Sequence, residues 1–263
     1  MASARGHRVR RDDLVRRGGA TTGRCQEVAG RGFGQRAQPA ADRDSVSPRD
    51  RRRRQSYRLL RRNGEEGVAP EPREELMNQR LPVRTTADDP RLGELFAKGL
   101  TGPGGDPLNI FGVLGNHPDM LKRWLVFATH VMSKNSLSPR DRELLILRTG
   151  WNCRSRYEWG QHVAIARECG LSDAEIEAVK SGVDHEGWSS HDRMLMLAAD
   201  ELHQHQSLSE HSWNALTNAY STEQVLDVIA TVGNYHLVAM FLNSTGVQLD
   251  EGVPDEPGLR PTI

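Results

Sequence analysis

Ser138-Pro139-Arg140-Asp141-Arg142-Glu143-Leu144-Leu145-Ile146-Leu147-Arg148, continuing through Asn152-Cys153-Arg154-Ser155 to Tyr157-Glu158-Trp159-Gly160-Gln161-His162 and closing at Cys169-Gly170, is the stretch that decides how this chain folds. Ser138 offers a hydroxyl at a helix N-cap, Pro139 suits the first helical position, and Asp141 stands where a carboxylate can answer the cap. A helix is predicted to start there. Leu144, Leu145, Ile146 and Leu147 supply its apolar surface, and the polar residues at 152–155 let the chain turn into a second helix. That helix should end at Gly170, a residue suited to a left-handed cap. Folding the pair back about residue 153 sets Glu143 level with His162. Glu158 precedes His162 by four positions and so shares its face, one turn away.

Three readings of this convergence compete. A carboxylate beside an imidazole fixes the ring's tautomer and gives a group able to pass protons near neutral pH. Against it stands an ordinary helix-surface Glu–His pair worth a few tenths of a kcal/mol, with Glu143 solvated in a first turn where acids are favoured. A divalent metal held by these residues is a third reading. It has less support, because di-iron bundles repeat a Glu/His pair at a spacing of three on a second pair of helices, and no such repeat occurs here.

Working outward, composition divides the chain unevenly. Residues 1–76 hold 19 arginines, no lysine and 11 acids, a net +8, whereas residues 77–263 carry −8. The leader has almost no apolar periodicity and includes Arg51-Arg52-Arg53-Arg54, so it is expected to be disordered. Its aromatic residues are only Phe33 and Tyr57, and no groove-reading motif accompanies the charge, which argues against nucleic acid as a partner. A lysine-free leader directly upstream of Met77 also suggests that the native protein starts at Met77. Peptides from residues 1–76 in the native protein would overturn that expectation. No apolar run follows the early arginines as a secretory signal would require.

The helical domain is expected over residues 77–252, with an extended, proline-containing tail at 253–263. His117-Pro118-Asp119 starts a helix bearing Leu121, Trp124, Leu125, Ala128 and Val131, apolar at intervals of three and four. His117 and His130 read as cap or core histidines. Ser172-Asp173-Ala174-Glu175 and Ser189-Ser190-His191-Asp192 begin two more helices. His203 and His205, near Glu201, resemble ligands at first sight, but residues two apart on a helix do not share a face, so a solvated helix end is expected. Ser221-Thr222-Glu223-Gln224 caps a final long helix, apolar nearly all round and therefore buried in the domain or at a subunit interface. Asp227, Asn234 and His236 interrupt it too often for a membrane span. His236 reads either as a core histidine or as a pocket residue needing a hydrogen-bond partner. Sustained two-residue alternation is absent, so the fold class is all-α. Three cysteines without a pairing pattern point to a reducing, cytoplasmic setting.

Arg142-Glu143-Leu144-Leu145-Ile146-Leu147-Arg148, Tyr157-Glu158-Trp159-Gly160-Gln161-His162 and Gly233-Asn234-Tyr235-His236-Leu237-Val238-Ala239-Met240 together resemble the carboxymuconolactone decarboxylase family, whose superfamily includes alkyl hydroperoxidase D. The resemblance spans roughly residues 78–252 and implies an alkyl hydroperoxidase D-like helical domain. In alkyl hydroperoxidase D a glutamate precedes Cys-x-x-Cys-x-x-x-His, and the glutamate and histidine relay protons to a redox-active cysteine pair. Glu143 and His162 match that glutamate and histidine, while Ser155 and Glu158 occupy the two cysteine positions and Tyr157 stands where the peroxidase has a histidine between them. Disulfide-based peroxide reduction needs an attacking thiolate and a resolving thiol, so the resemblance carries over the proton-handling half of the site. It implies decarboxylase chemistry on a small carboxylate or lactone, with no cofactor and no metal. His162 would move the proton, Glu143 would orient it, and Glu158 would set its charge or contact substrate; Ser155, Tyr157 and His236 would line the pocket. It also implies a homo-oligomer, a trimer or hexamer. A peroxidase using Cys153 and a non-catalytic helical oligomer are the alternatives.

Overall fold

The computed structural model describes residues 79–102 and 104–259, and the arginine-rich leader lies outside them. The described residues form nine α-helices: α1 (Arg91–Phe96), α2 (Asn109–Leu114), α3 (Pro118–Thr129), α4 (Pro139–Asn152), α5 (Arg156–Glu168), α6 (Asp173–Val179), α7 (Ser190–His205), α8 (Glu210–Ala219) and α9 (Thr222–Thr245). A single residue pair, Thr101 with Pro107, forms a β-bridge, so the all-α expectation holds.

Local sequence explains most of the helix ends. Ser138 Oγ accepts from the Asp141 amide at 3.1 Å, with Pro139 in the first turn. The reciprocal half of that cap is not made, because the Asp141 carboxylate accepts instead from the Tyr220 hydroxyl at 2.7 Å and lies 3.1 Å from His191. Full capping boxes form at Ser172/Glu175 and Ser221/Gln224. His117 caps α3 through its ring, and His130, in the π-helical turn after α3, pairs with Asp227 at 2.8 Å. Helix α8, capped by Ser209, adds to the helices expected from the sequence.

Helix α4 is the central strut: every residue from Asp141 to Leu147 is buried. Leu144, Leu145 and Leu147 pack into one apolar cluster with α5, α6, α7, α8 and the first half of α9. Ile146 turns to a second cluster, built with α1, α2, α3 and the second half of α9. Burying each of these side chains contributes about 1.5–3 kcal/mol. Polar groups inside such a helix must be paired across it, which is how the candidate site arises.

Helix α9 is the only described helix long and apolar enough to cross a membrane by length and composition, with a mean hydropathy of 1.6 over its most apolar window. Of that window 56% is buried inside the domain, the behaviour of a core helix. The segment after α9 does not stand free. Asp255 pairs with Arg156, Glu256 with Lys180 at 2.8 Å, and Leu259 is buried in the first cluster. Gly160 permits this approach, since a Cβ there would stand 2.7 Å from Val253 Cγ1 and 2.8 Å from the Pro254 carbonyl oxygen.

Candidate active site

Helices α4 and α5 meet as a hairpin through Cys153 and Arg154. Arg154 takes a left-handed conformation (φ 52°), and the Ser155 amide donates to the Gly150 carbonyl at 2.8 Å. Gly170 closes α5 at φ 95°, as its position suggested.

The hairpin brings Glu143 and His162 together. His162 Nδ1 lies 2.7 Å from Glu143 Oε2, and the other carboxylate oxygen accepts from Arg142 at 2.8–2.9 Å. Glu143 is fully buried and Arg142 and His162 nearly so. With a carboxylate oxygen as the acceptor at Nδ1, the imidazole proton is assigned to Nδ1 and Nε2 is left free. The Tyr235 ring of α9 meets His162 edge-on at 4.9 Å, and the Tyr235 hydroxyl reaches Met132 Sδ at 2.7 Å. His162 is thereby fixed on two sides.

Glu158, one turn before His162, is different in kind. Only 2% exposed, it has no hydrogen-bond partner at either carboxyl oxygen. Its Oε1 lies where a Cβ on Gly150 would approach to 3.0 Å, so the glycine of α4 makes room for the carboxyl. Burial pushes its pKa well above the ordinary carboxyl value. The nearby Ser155 hydroxyl pulls the other way, yet forms no hydrogen bond of ordinary geometry with it, so burial prevails. Ser155 Oγ and Thr231 Oγ1 are likewise buried without partners, and Thr231 precedes Tyr235 by one turn on α9. The hairpin therefore holds an imidazole contacted by a carboxylate, one turn from a buried carboxyl whose pKa is raised.

The remaining expected residues lie elsewhere. Tyr157 was expected beside Ser155 in a substrate pocket. Its side chain instead packs in the second apolar cluster, and its hydroxyl donates to Asp250, which also accepts from Gln161 at 2.6 Å. Tyr157 thus anchors the segment after α9. A residue adjacent in sequence to Glu158 points some 100° away around the helix.

His236 lines a cleft of about 660 Å³ with Cys153, Leu202, His203, Val232, Gly233 and Met240 among its walls. It is joined there by His203, which the sequence reading placed at a solvated helix end. His203 Nδ1 is 2.8 Å from His236 Nε2 and 3.8 Å from Cys153 Sγ, and the two rings stack at 5.1 Å. His205, two residues on, is exposed as expected. Both cleft histidines are held below the usual imidazole value, first by burial. The Cys153 thiol is pushed up to about 12, first by burial and then by Glu158.

Residues 118–189 match the Carboxymuconolactone decarboxylase family. No curated protein matches the sequence. Among solved structures, the chain is similar to an alkylhydroperoxidase AhpD core protein, peroxidase-related, from Ralstonia eutropha JMP134, with 21% identity, 66% of this chain and 93% of that chain covered, and a TM-score of 0.56. A peroxidase-related protein from Silicibacter sp. TM1040 is 14% identical over 73% of this chain and 96% of its own, with a TM-score of 0.54. The debrominase Bmp8 in its apo form is 14% identical over 66% and 94%, with a TM-score of 0.57. Residues 118–189 thus match the carboxymuconolactone decarboxylase family, within an all-α domain whose fold is similar to that of alkylhydroperoxidase AhpD.

Proposed function

We propose that this protein is a cytoplasmic acid/base enzyme of the carboxymuconolactone decarboxylase type, acting on a small carboxylate or lactone. The observation that carries the reading is the buried, unpartnered Glu158 carboxyl, its pKa raised by burial, one turn from an imidazole that Glu143 contacts. Breaking the bond between an activated ring carbon and its carboxylate releases CO2 and leaves an electron pair that the ring takes up as an enolate. A neutral carboxylic acid is suited to protonate that carbon. His162 then returns a proton from solvent to Glu158, with Glu143 holding its tautomer throughout. One proton is consumed per CO2 released, so the site needs no net oxidant or reductant.

The peroxidase alternative requires a thiolate and a resolving thiol. Cys153 is the free cysteine among the described residues, and its thiol is pushed up to about 12. Such a thiol is almost entirely protonated near neutral pH, which favours the decarboxylase reading. Assembly into a homo-oligomer is part of the proposal. Leu226, Leu237 and Met240 on α9 and Val126 and Phe127 on α3 expose apolar side chains that such an assembly could cover.

The test is CO2 release from a panel of carboxylated lactones, measured for the wild type and for His162→Gln, whose amide keeps a donor for Glu143. Turnover by the wild type, lost in His162→Gln with folding and sedimentation unchanged, supports the proposal. Turnover that survives His162→Gln, or that is abolished by alkylating Cys153, contradicts it.

A further inference from the structure

We infer that Cys153, His203 and His236 form a binding site for one borderline-soft divalent metal ion, zinc in chemical type, opening on the cleft between α7 and α9. The three residues come from the turn after α4, the end of α7 and the middle of α9. Their donor atoms all lie within 4.8 Å of one another. Tetrahedral zinc, with bonds of roughly 2.0–2.1 Å to nitrogen and 2.3 Å to sulfur, places two nitrogens about 3.3 Å apart and sulfur about 3.6 Å from nitrogen. The observed separations of 2.8 Å and 3.8 Å need only sub-ångström adjustment to meet them.

The surroundings are those of a ligand set. The second nitrogen of His236 donates to the Val232 carbonyl, an outer contact that fixes the ring and leaves Nε2 facing the cluster. The Asn243 amide donates to the Cys153 carbonyl at 2.9 Å and holds the turn in place. Thiolate and imidazole donors suit zinc, cobalt and copper over magnesium or calcium, which prefer oxygen. Three protein ligands beside an open cleft leave a fourth position for water or substrate, the arrangement of catalytic zinc sites rather than closed structural ones.

Protons balance simply. With His236 Nδ1 committed to Val232, the His203 Nδ1 proton lies on the bond to His236 Nε2. Binding moves that proton to His203 Nε2, frees both facing nitrogens, and expels the Cys153 thiol proton. One metal therefore displaces one proton. The inference is independent of the acid/base reading, since neither Glu143 nor His162 takes part.

The experiment titrates the chelator-treated full-length protein with Co2+ and then Zn2+. The expected result is one Co2+ per chain, a thiolate-to-cobalt charge-transfer absorption in the near ultraviolet, about one proton released per ion, and displacement of cobalt by zinc. Cys153→Ser should abolish the charge-transfer absorption. His203→Gln and His236→Gln should each weaken binding by more than about tenfold, while His205→Gln binds as the wild type does. Circular dichroism confirms that each variant is folded. Wild-type protein that takes up no Co2+, or uptake that is the same in Cys153→Ser and His236→Gln, overturns the inference.

Discussion

The α4–α5 hairpin and the α7–α9 cleft, side by side across Cys153, solve opposite problems. The hairpin buries charge and must satisfy it. Arg142, Glu143 and His162 form a chain of hydrogen bonds at 2.7–2.9 Å, and burial raises the pKa of the unpartnered Glu158 carboxyl. The cleft is open, and its groups are neutral bases and an unionised thiol. Depth therefore decides chemistry. The proposed proton transfer uses the buried hairpin, and the proposed metal site uses the open cleft, whose donors can be reached.

The sharpest way to break this division is to remove the hairpin's base. His162→Gln should lower turnover by about 10²–10⁴-fold, the usual contribution of a general acid or base, as measured by CO2 release. A loss below tenfold would move the chemistry to the cleft. Next in size is thiol reactivity. With its pKa near 12 rather than 9.0, Cys153 should react with iodoacetamide at neutral pH about 30-fold more slowly than an ordinary cysteine, greater thiolate nucleophilicity offsetting part of the lower thiolate fraction.

Smaller still is the effect of relieving Glu158. Glu158→Met replaces an unpartnered buried carboxyl by an apolar side chain of similar length and should stabilise the fold by about 1–3 kcal/mol in urea titrations, while abolishing turnover. The sign with pH follows from the raised folded-state value. The folded chain keeps a proton that the unfolded chain releases above the ordinary value of 4.5. This contribution is therefore fully present below pH 4.5 and is lost as pH rises through the folded-state value. The stability difference between Glu158→Met and wild type should widen over that interval; a difference independent of pH would mean that Glu158 is ionised. The smallest effect lies in the cleft. A Cβ at Gly233 meets nothing within 4 Å, so Gly233→Ala should add up to about 1 kcal/mol through helix propensity.

Both helix starts and the central hairpin were legible in the sequence because their signals are local: Ser138 and Pro139 at one end, Gly170 at the other. The meeting of Glu143 with His162 was legible for the same reason, since a short turn makes the register of two helices a matter of counting. The role of His203 was not. Its partners, His236 and Cys153, are 33 and 50 residues distant, and no rule about faces of its own helix could reveal them. Tyr157 escaped for a related reason, because its hydroxyl is claimed by Asp250, 93 residues away. Helix α8 was overlooked because its apolar anchors are few: of its residues only Ser212 and Leu216 are buried.

The account rests most heavily on the protonation of Glu158 in the folded protein. Infrared difference spectroscopy at pH 7 between the wild type and Glu158→Gln reads it directly. The account predicts a protonated-carboxyl carbonyl stretch in the wild type that vanishes in the variant; a spectrum showing only the carboxylate stretches of an ionised Glu158 would contradict it.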